Sequence, residues 1–150
     1  MENSVLKKLK SVLSNEDQAK EDRLEQVCLL LQRSNPAYDW VGFYFADLEK
    51  KELHLGPFAG APTEHTVIPF GKGICGQVAE SNENFLVPDV ELQDNYIACG
   101  IDVRSELVVP LFVDGKNIGQ IDIDSHTPNA FSEADERLLE LVNIEVAKIL

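Results

Sequence analysis

The chain has 150 residues, 44% of them hydrophobic, and 13 basic against 26 acidic residues give a formal net charge of −13. That length suits one hydrophobic core and one domain, residues 1–150, and the acidic balance disfavours nucleic acid and anionic membrane surfaces as partners. No apolar run approaches the ~18–20 residues that span a bilayer. The opening MENSVLKKLK lacks a secretory apolar core, and three cysteines are too few for a disulfide scaffold, so free thiols in a reducing cytoplasm are expected.

In chain order, a short N-terminal helix is followed by a polar stretch, Lys8 to Lys20, and a longer helix. In that second helix Leu24, Val27, Cys28 and Leu31 recur at i, i+3, i+4 and i+7, which makes one apolar face. Asn35-Pro36 ends it, because the residue before proline is pushed out of helical geometry. Trp40 to Phe45 reads as a strand rich in aromatic residues, with Glu52 to Leu55 as its hairpin partner across the charged turn Asp47 to Lys51. Gly56-Pro57 and Gly60-Ala61-Pro62 are breakers, so a loop is expected to run towards Thr66-Val67-Ile68.

Gly71 to Gly76 is glycine-rich and leads into a short helix, Gln77 to Ser81. Phe85 to Val87 forms a short strand, and Pro88 to Gly100 a long polar loop. Leu107 to Val113 and Lys116 to Ile123 make the clearest hairpin, turning at Asp114-Gly115. Ser132 with Asp135 marks the start of the last helix. Its stripe Leu138, Leu139, Leu141, Val142, Val146 and Ile149 is wide enough for the sheet and for a second surface, the N-terminal helices or another subunit. Consecutive hairpins with helices packed on them give the α+β class.

Three cysteines invite chemistry to different degrees. Cys28 lies on the apolar stripe of the second helix, where cysteine behaves as a small hydrophobe. Cys75 sits at a helix start, where backbone amides and the helix dipole would favour a thiolate. Cys99 closes Tyr96-Ile97-Ala98-Cys99 near the end of the long loop, a setting where reactive groups concentrate. No Cys-x-x-Cys or His-x-x-His spacing is present, so no metal site is expected. Lys72 in its glycine-rich turn does not complete a phosphate-binding loop.

An acidic set lies further along. In Gln120-Ile121-Asp122-Ile123-Asp124 the two carboxylates alternate with apolar residues and share a strand face, which is either a solvated face or a polar pocket. Glu106 opens the partner strand, and its side depends on the turn. A two-residue Asp114-Gly115 turn places Leu107 opposite Asp122 and sends Glu106 to the other face. A three-residue loop with a glycine bulge puts Glu106 beside Asp124. A shared acidic site requires the bulged register or an equivalent shift. Trp40 and Tyr44 also share a strand face, with open space expected at Gly42, as a cation-holding wall or as core packing.

Six segments taken in order resemble the free methionine-(R)-sulfoxide reductases, single-domain enzymes of the GAF fold. They are Tyr38-Asp39-Trp40-Val41-Gly42-Phe43-Tyr44, Leu55-Gly56-Pro57-Phe58, Gly73-Ile74-Cys75-Gly76, Ile97-Ala98-Cys99, Ser105-Glu106-Leu107-Val108-Val109-Pro110 and Asp122-Ile123-Asp124-Ser125. The resemblance implies a six-stranded antiparallel sheet with N- and C-terminal helices on one face, a short helix and loops over a ligand pocket on the other, and a homodimer. It implies that Cys99 attacks the sulfoxide and that Cys75 is the second thiol. It gives Glu106, Asp122 and Asp124 as substrate-binding carboxylates, and Trp40 and Tyr44 as the aromatic wall. No bound cofactor is implied, only an external thioredoxin-like reductant. The family's best-known members carry a further cysteine ten residues before Cys75, where this chain has His65. A non-catalytic GAF module that binds a small ligand or senses redox state is the alternative.

Overall fold

The computed structural model describes residues 2–93 and 102–150, with side chains from Ser4 onward. Two helices, α1 (Glu2–Leu13) and α2 (Lys20–Ser34), precede strands β1 (Trp40–Asp47), β2 (Glu52–Ala59) and β3 (Val67–Pro69). Helix α3 (Gly73–Ser81), strand β4 (Phe85–Val87), a 3₁₀ turn at Val90–Leu92 inside the expected loop, strands β5 (Ser105–Val113) and β6 (Lys116–Ser125), and helix α4 (Glu133–Ala147) complete the described chain. The strands form one sheet of six among the described residues, in the order β3-β2-β1-β6-β5-β4, with every neighbouring pair antiparallel. No helix of the described residues is long and apolar enough to cross a membrane.

Alternation along the central strands separates two cores. Val41 and Phe43 of β1, Ile121 and Ile123 of β6 and Leu107, Val109 and Leu111 of β5 face α1, α2 and α4. Trp40 and Tyr44 of β1 and Val108 of β5 lie on the opposite face under α3, with Ile74, Cys75 and Val78. This is the expected layering, with terminal helices on one side and the short helix on the other. Helix α4 starts with a complete capping box, Ser132 and Asp135 each bonding the other's backbone N–H. Asp135 also accepts a hydrogen bond from the Tyr38 hydroxyl, fastening the entry of β1 to that helix start.

Several element boundaries differ from those read in the sequence. Helix α1 runs to Leu13, through much of the stretch read as a polar linker, and Val67–Pro69 adds a strand where a loop is expected. Two further differences bear on the site. The strand β2 runs through Gly56-Pro57 to Ala59 instead of breaking there. It does so with a bulge, since Gly42 pairs with Phe58 and Tyr44 with Leu55, leaving Gly56 and Pro57 opposite Phe43. Proline is tolerated at such a point because no ladder N–H is needed. Helix α3 begins at Gly73 rather than Gln77, because the positive φ values of Gly71 (86°) and Gly73 (61°) turn the chain sharply into it. Cys75 therefore lies inside its first turn.

The β5–β6 hairpin settles the open question of register. Its turn is the two-residue one, with Val113 opposite Lys116. Yet Phe112 pairs with Asn117 and Leu111 with Gly119, so Ile118 is an extra residue in β6. From that bulge onward the pairing is shifted, and Glu106 lies directly across from Asp124. The required shift is thus present, through a bulge inside the strand rather than at the turn. Asn117 Oδ1 accepts a hydrogen bond from Gly119 N at 3.1 Å across the kink. A Cβ on Gly119 would stand 2.3 Å from the Tyr44 carbonyl oxygen. Gly119→Ala should therefore cost about 1–3 kcal/mol of stability through forced backbone movement, read as a lower urea midpoint at unchanged slope. An unshifted midpoint would contradict this packing account.

Candidate active site

The bulged register brings three carboxyl residues of β5 and β6 onto the face under α3, beside β1. Asp124 pairs with Trp40 on one side and Glu106 on the other, while Asp122 lies between Gly42 and Val108. Asp122, Asp124 and Glu106 are all buried, at 0%, 1% and 2% exposure. Asp disfavours strands, and burying a carboxylate costs several kcal/mol unless it is paired or neutralised. Such a cluster is costly to the fold, which argues for a role beyond packing.

Helix α3 lowers Cys75 onto this cluster. Its sulfur lies 3.4 Å from Asp122 Oδ2 and 3.8 Å from Glu106 Oε2, with the S–H as donor. The close seat of α3 depends on Gly76, where a Cβ would meet the Pro69 carbonyl oxygen at 2.6 Å. The helix start favours a thiolate, and the carboxyl oxygens beside it stand where they accept a hydrogen bond from the S–H. Cys28 is 0% exposed, lies 3.6 Å from the Pro57 carbonyl oxygen, and burial pushes its thiol far up, consistent with a packing role.

Burial is the main reason that Asp122 is held above the ordinary carboxylate range, against lowering by Glu106, Cys75 and Asp124. Burial raises Asp124 well above that range too, and the charge of Asp122 adds to it. The oxygens Asp122 Oδ1 and Asp124 Oδ1 are buried and reached by no hydrogen-bond donor among the described residues. The three carboxyls can satisfy one another only by sharing protons. A carboxyl that burial keeps protonated in this way can give up a proton to an oxygen that must leave.

The aromatic residues form a wall, but not the gap expected at Gly42. The Trp40 ring folds over that glycine, where a Cβ would meet it at 2.3 Å. Trp40 stacks on Phe58 at 5.5 Å between centroids and lies 6.3 Å from Tyr44. Both wall residues also hold the loop after β2. Trp40 Nε1 donates to the Ala61 carbonyl and the Tyr44 hydroxyl to the His65 carbonyl, each at 3.0 Å. A cavity of about 10 Å³ remains between His65, Lys72, Cys75 and Glu106. A larger cleft of about 340 Å³ reaches Trp40 and Asp124 from outside, between Asp39, Thr63, Asp102 and His126.

Six of the seven site residues expected from sequence thus converge: Cys75, Trp40, Tyr44, Glu106, Asp122 and Asp124. The seventh, Cys99, lies outside the described residues. Three neighbours were not anticipated. Phe58 joins the aromatic wall, and Gln120 is fully buried on the cluster's face with its amide unbonded among the described residues. The same i, i+2 alternation that marked Asp122 and Asp124 extends back to Gln120 and could have found it. Asp39, at the cleft mouth, accepts a hydrogen bond from His126 N at 2.7 Å and carried no signal beyond its place before Trp40.

Residues 18–146 match the family model described as GAF domain. Protein YtsP of Bacillus subtilis is 42% identical over 125 residues, spanning 79% of this chain and 76% of that protein. The free methionine-R-sulfoxide reductase of Escherichia coli is 38% identical over 112 residues, spanning 75% of this chain and 66% of the enzyme. Among solved structures, the free methionine-R-sulfoxide reductase of Neisseria meningitidis in complex with its substrate superposes with a TM-score of 0.92 at 36% identity. The match covers 99% of this chain and 87% of that one.

The raised Asp124 carboxyl has a consequence for folding. The folded state holds that proton at pH values where the unfolded chain has lost it, so stability falls as pH rises from the unfolded value of about 4 through the raised one. Asp124→Asn cannot ionise and escapes the fall. Its urea midpoint should exceed that of the wild type at pH 7, with the advantage shrinking towards pH 4. An advantage of equal size at both pH values would contradict the assignment.

Proposed function

We propose a function from one premise: the chain belongs to the GAF domain family and, within it, to the free methionine-R-sulfoxide reductases. It reduces free L-methionine-(R)-sulfoxide to methionine, with Cys99 as nucleophile and Cys75 as resolving thiol. The observation that carries this reading is the buried set of three carboxyls and a thiol beside an aromatic wall.

Each component has a chemical task. The sulfur of Cys99 bonds to the electrophilic sulfoxide sulfur as the carboxyl cluster protonates the oxygen, and that sulfur–sulfur bond then breaks as the hydroxyl passes from the substrate sulfur to Cys99. Oxygen ends on Cys99 as a sulfenic acid, and methionine is released with its sulfur reduced by two electrons. The thiol of Cys75 then displaces the hydroxyl as water, closing a Cys75–Cys99 disulfide. A dithiol reductant of the thioredoxin type opens it by exchange and is itself oxidised. Among Glu106, Asp122 and Asp124, the carboxylates that remain ionised hold the substrate's α-ammonium group, and Trp40 and Tyr44 flank it by cation–π and apolar contact.

The rest of the reading follows the same family. The 150 residues act as one GAF domain, need no bound cofactor, and work in the cytoplasm as a homodimer. Ile144 supports a subunit contact, because it is an apolar residue left 56% exposed on α4.

NADPH consumption with thioredoxin, thioredoxin reductase and free methionine-(R)-sulfoxide tests the reading. The wild type should turn over, and Cys99→Ser should lose activity by roughly 10³-fold or more, as for removal of an attacking nucleophile. Cys75→Ser should still release about one equivalent of methionine per chain in a single turnover, then stall. Full steady-state turnover by Cys99→Ser would refute the assignment.

A further inference from the structure

We propose that Cys75, Asp122 and Glu106 form a zinc-binding site at the heart of the pocket. Their ligand atoms all lie within 4.8 Å of one another, and all three residues are buried. Zinc bonds thiolate sulfur at about 2.3 Å and carboxylate oxygen at about 2.0–2.2 Å, so tetrahedral ligation needs sulfur–oxygen separations of about 3.5 Å. The separations here are 3.4 Å to Asp122 Oδ2 and 3.8 Å to Glu106 Oε2. An ion fits between these atoms with only small side-chain movement.

A second, independent observation points to a cation. Asp122 Oδ1 and Asp124 Oδ1 are buried acceptors that no donor reaches among the described residues. A positive ion bound in place of the protons that the carboxyls share would supply partner charge to these oxygens. The cavity of about 10 Å³ next to Cys75 and Glu106 is about the volume of one water probe, which suits a single water as fourth ligand. Sulfur in the set favours zinc over magnesium or calcium, which take oxygen ligands in larger shells.

The absence of a metal motif in the sequence does not count against this site. Its ligands come from three elements, α3, β5 and β6, with 31 and 47 residues separating Cys75 from its partners. No local spacing could have revealed them. Zinc occupies the sulfur lone pair that the resolving step needs, so the ion and turnover exclude one another. That consequence rests on the reductase reading; the binding itself does not.

Competition between the reduced full-length chain and a chromophoric chelator for zinc chloride tests the proposal. One zinc per chain should bind, and a large excess of magnesium should not displace it. Cys75→Ser and Asp122→Asn should each weaken binding by at least about tenfold, while Cys28→Ser and His54→Ala leave it unchanged. His54→Ala matters because Asp47, Glu52 and His54 form a second, more exposed acidic group. Zinc should also slow alkylation of Cys75 in the wild type, a readout that does not depend on the variants folding. No stoichiometric zinc, or loss in His54→Ala but not in Cys75→Ser, would overturn the site. If zinc binds as described but sulfoxide reduction continues unslowed, the metal site stands and the resolving role of Cys75 falls. If turnover proceeds and zinc does not bind, the reverse holds.

Discussion

The extra residue Ile118 in β6 governs which side chains meet across the central hairpin. Side chains alternate faces along a strand, so a one-residue shift exchanges the two faces of everything beyond it. Without the bulge, Glu106 would join Leu107's layer of apolar neighbours under the terminal helices. With it, Glu106 lies against Asp124, and three carboxyls come together on one face. The Asn117–Gly119 hydrogen bond and the close approach of Gly119 to Tyr44 hold the kink in place. A local backbone feature thus fixes the charge distribution of the pocket.

The cost of that arrangement explains much of what surrounds it. Carboxyls buried together cannot all ionise, so protons stay in the cluster and the Cys75 thiol points its own proton at Asp122. The same features serve chemistry in which an oxygen must leave protonated and an ammonium group must be held. They also make the cluster a place where a soft divalent cation would be stabilised. The aromatic wall has a double task, since Trp40 and Tyr44 border the pocket and anchor the loop that carries His65.

Much of this was legible in the residues. The helical stripes, the Asp114-Gly115 hairpin and the Ser132 capping box follow local rules that tertiary packing did not override. The alternation at Asp122 and Asp124 correctly signalled a polar pocket. Other features depend on contacts distant in sequence. Gly56-Pro57 carries the strong marks of a break, yet the strand passes through because a bulge opposite Phe43 removes the need for a ladder donor. The side taken by Glu106 hung on one residue of register, which turn chemistry alone left undecided. The carboxyl neighbours of Cys75 could not be read from its helix start, because they lie on strands far along the chain. Trp40 filled the space over Gly42 with its own ring, something a rotamer decides and a strand pattern does not.

Cross-strand proton contacts measured by nuclear Overhauser effects on the β5–β6 hairpin test the central claim most directly. The bulged register predicts contacts of Glu106 with Asp124 and of Leu107 with Ile123, together with an unpaired Ile118. Contacts of Glu106 with Ile123 and of Leu107 with Asp122 would mean a hairpin without the bulge. The three carboxyls would then not share a face, and the site described above would not exist.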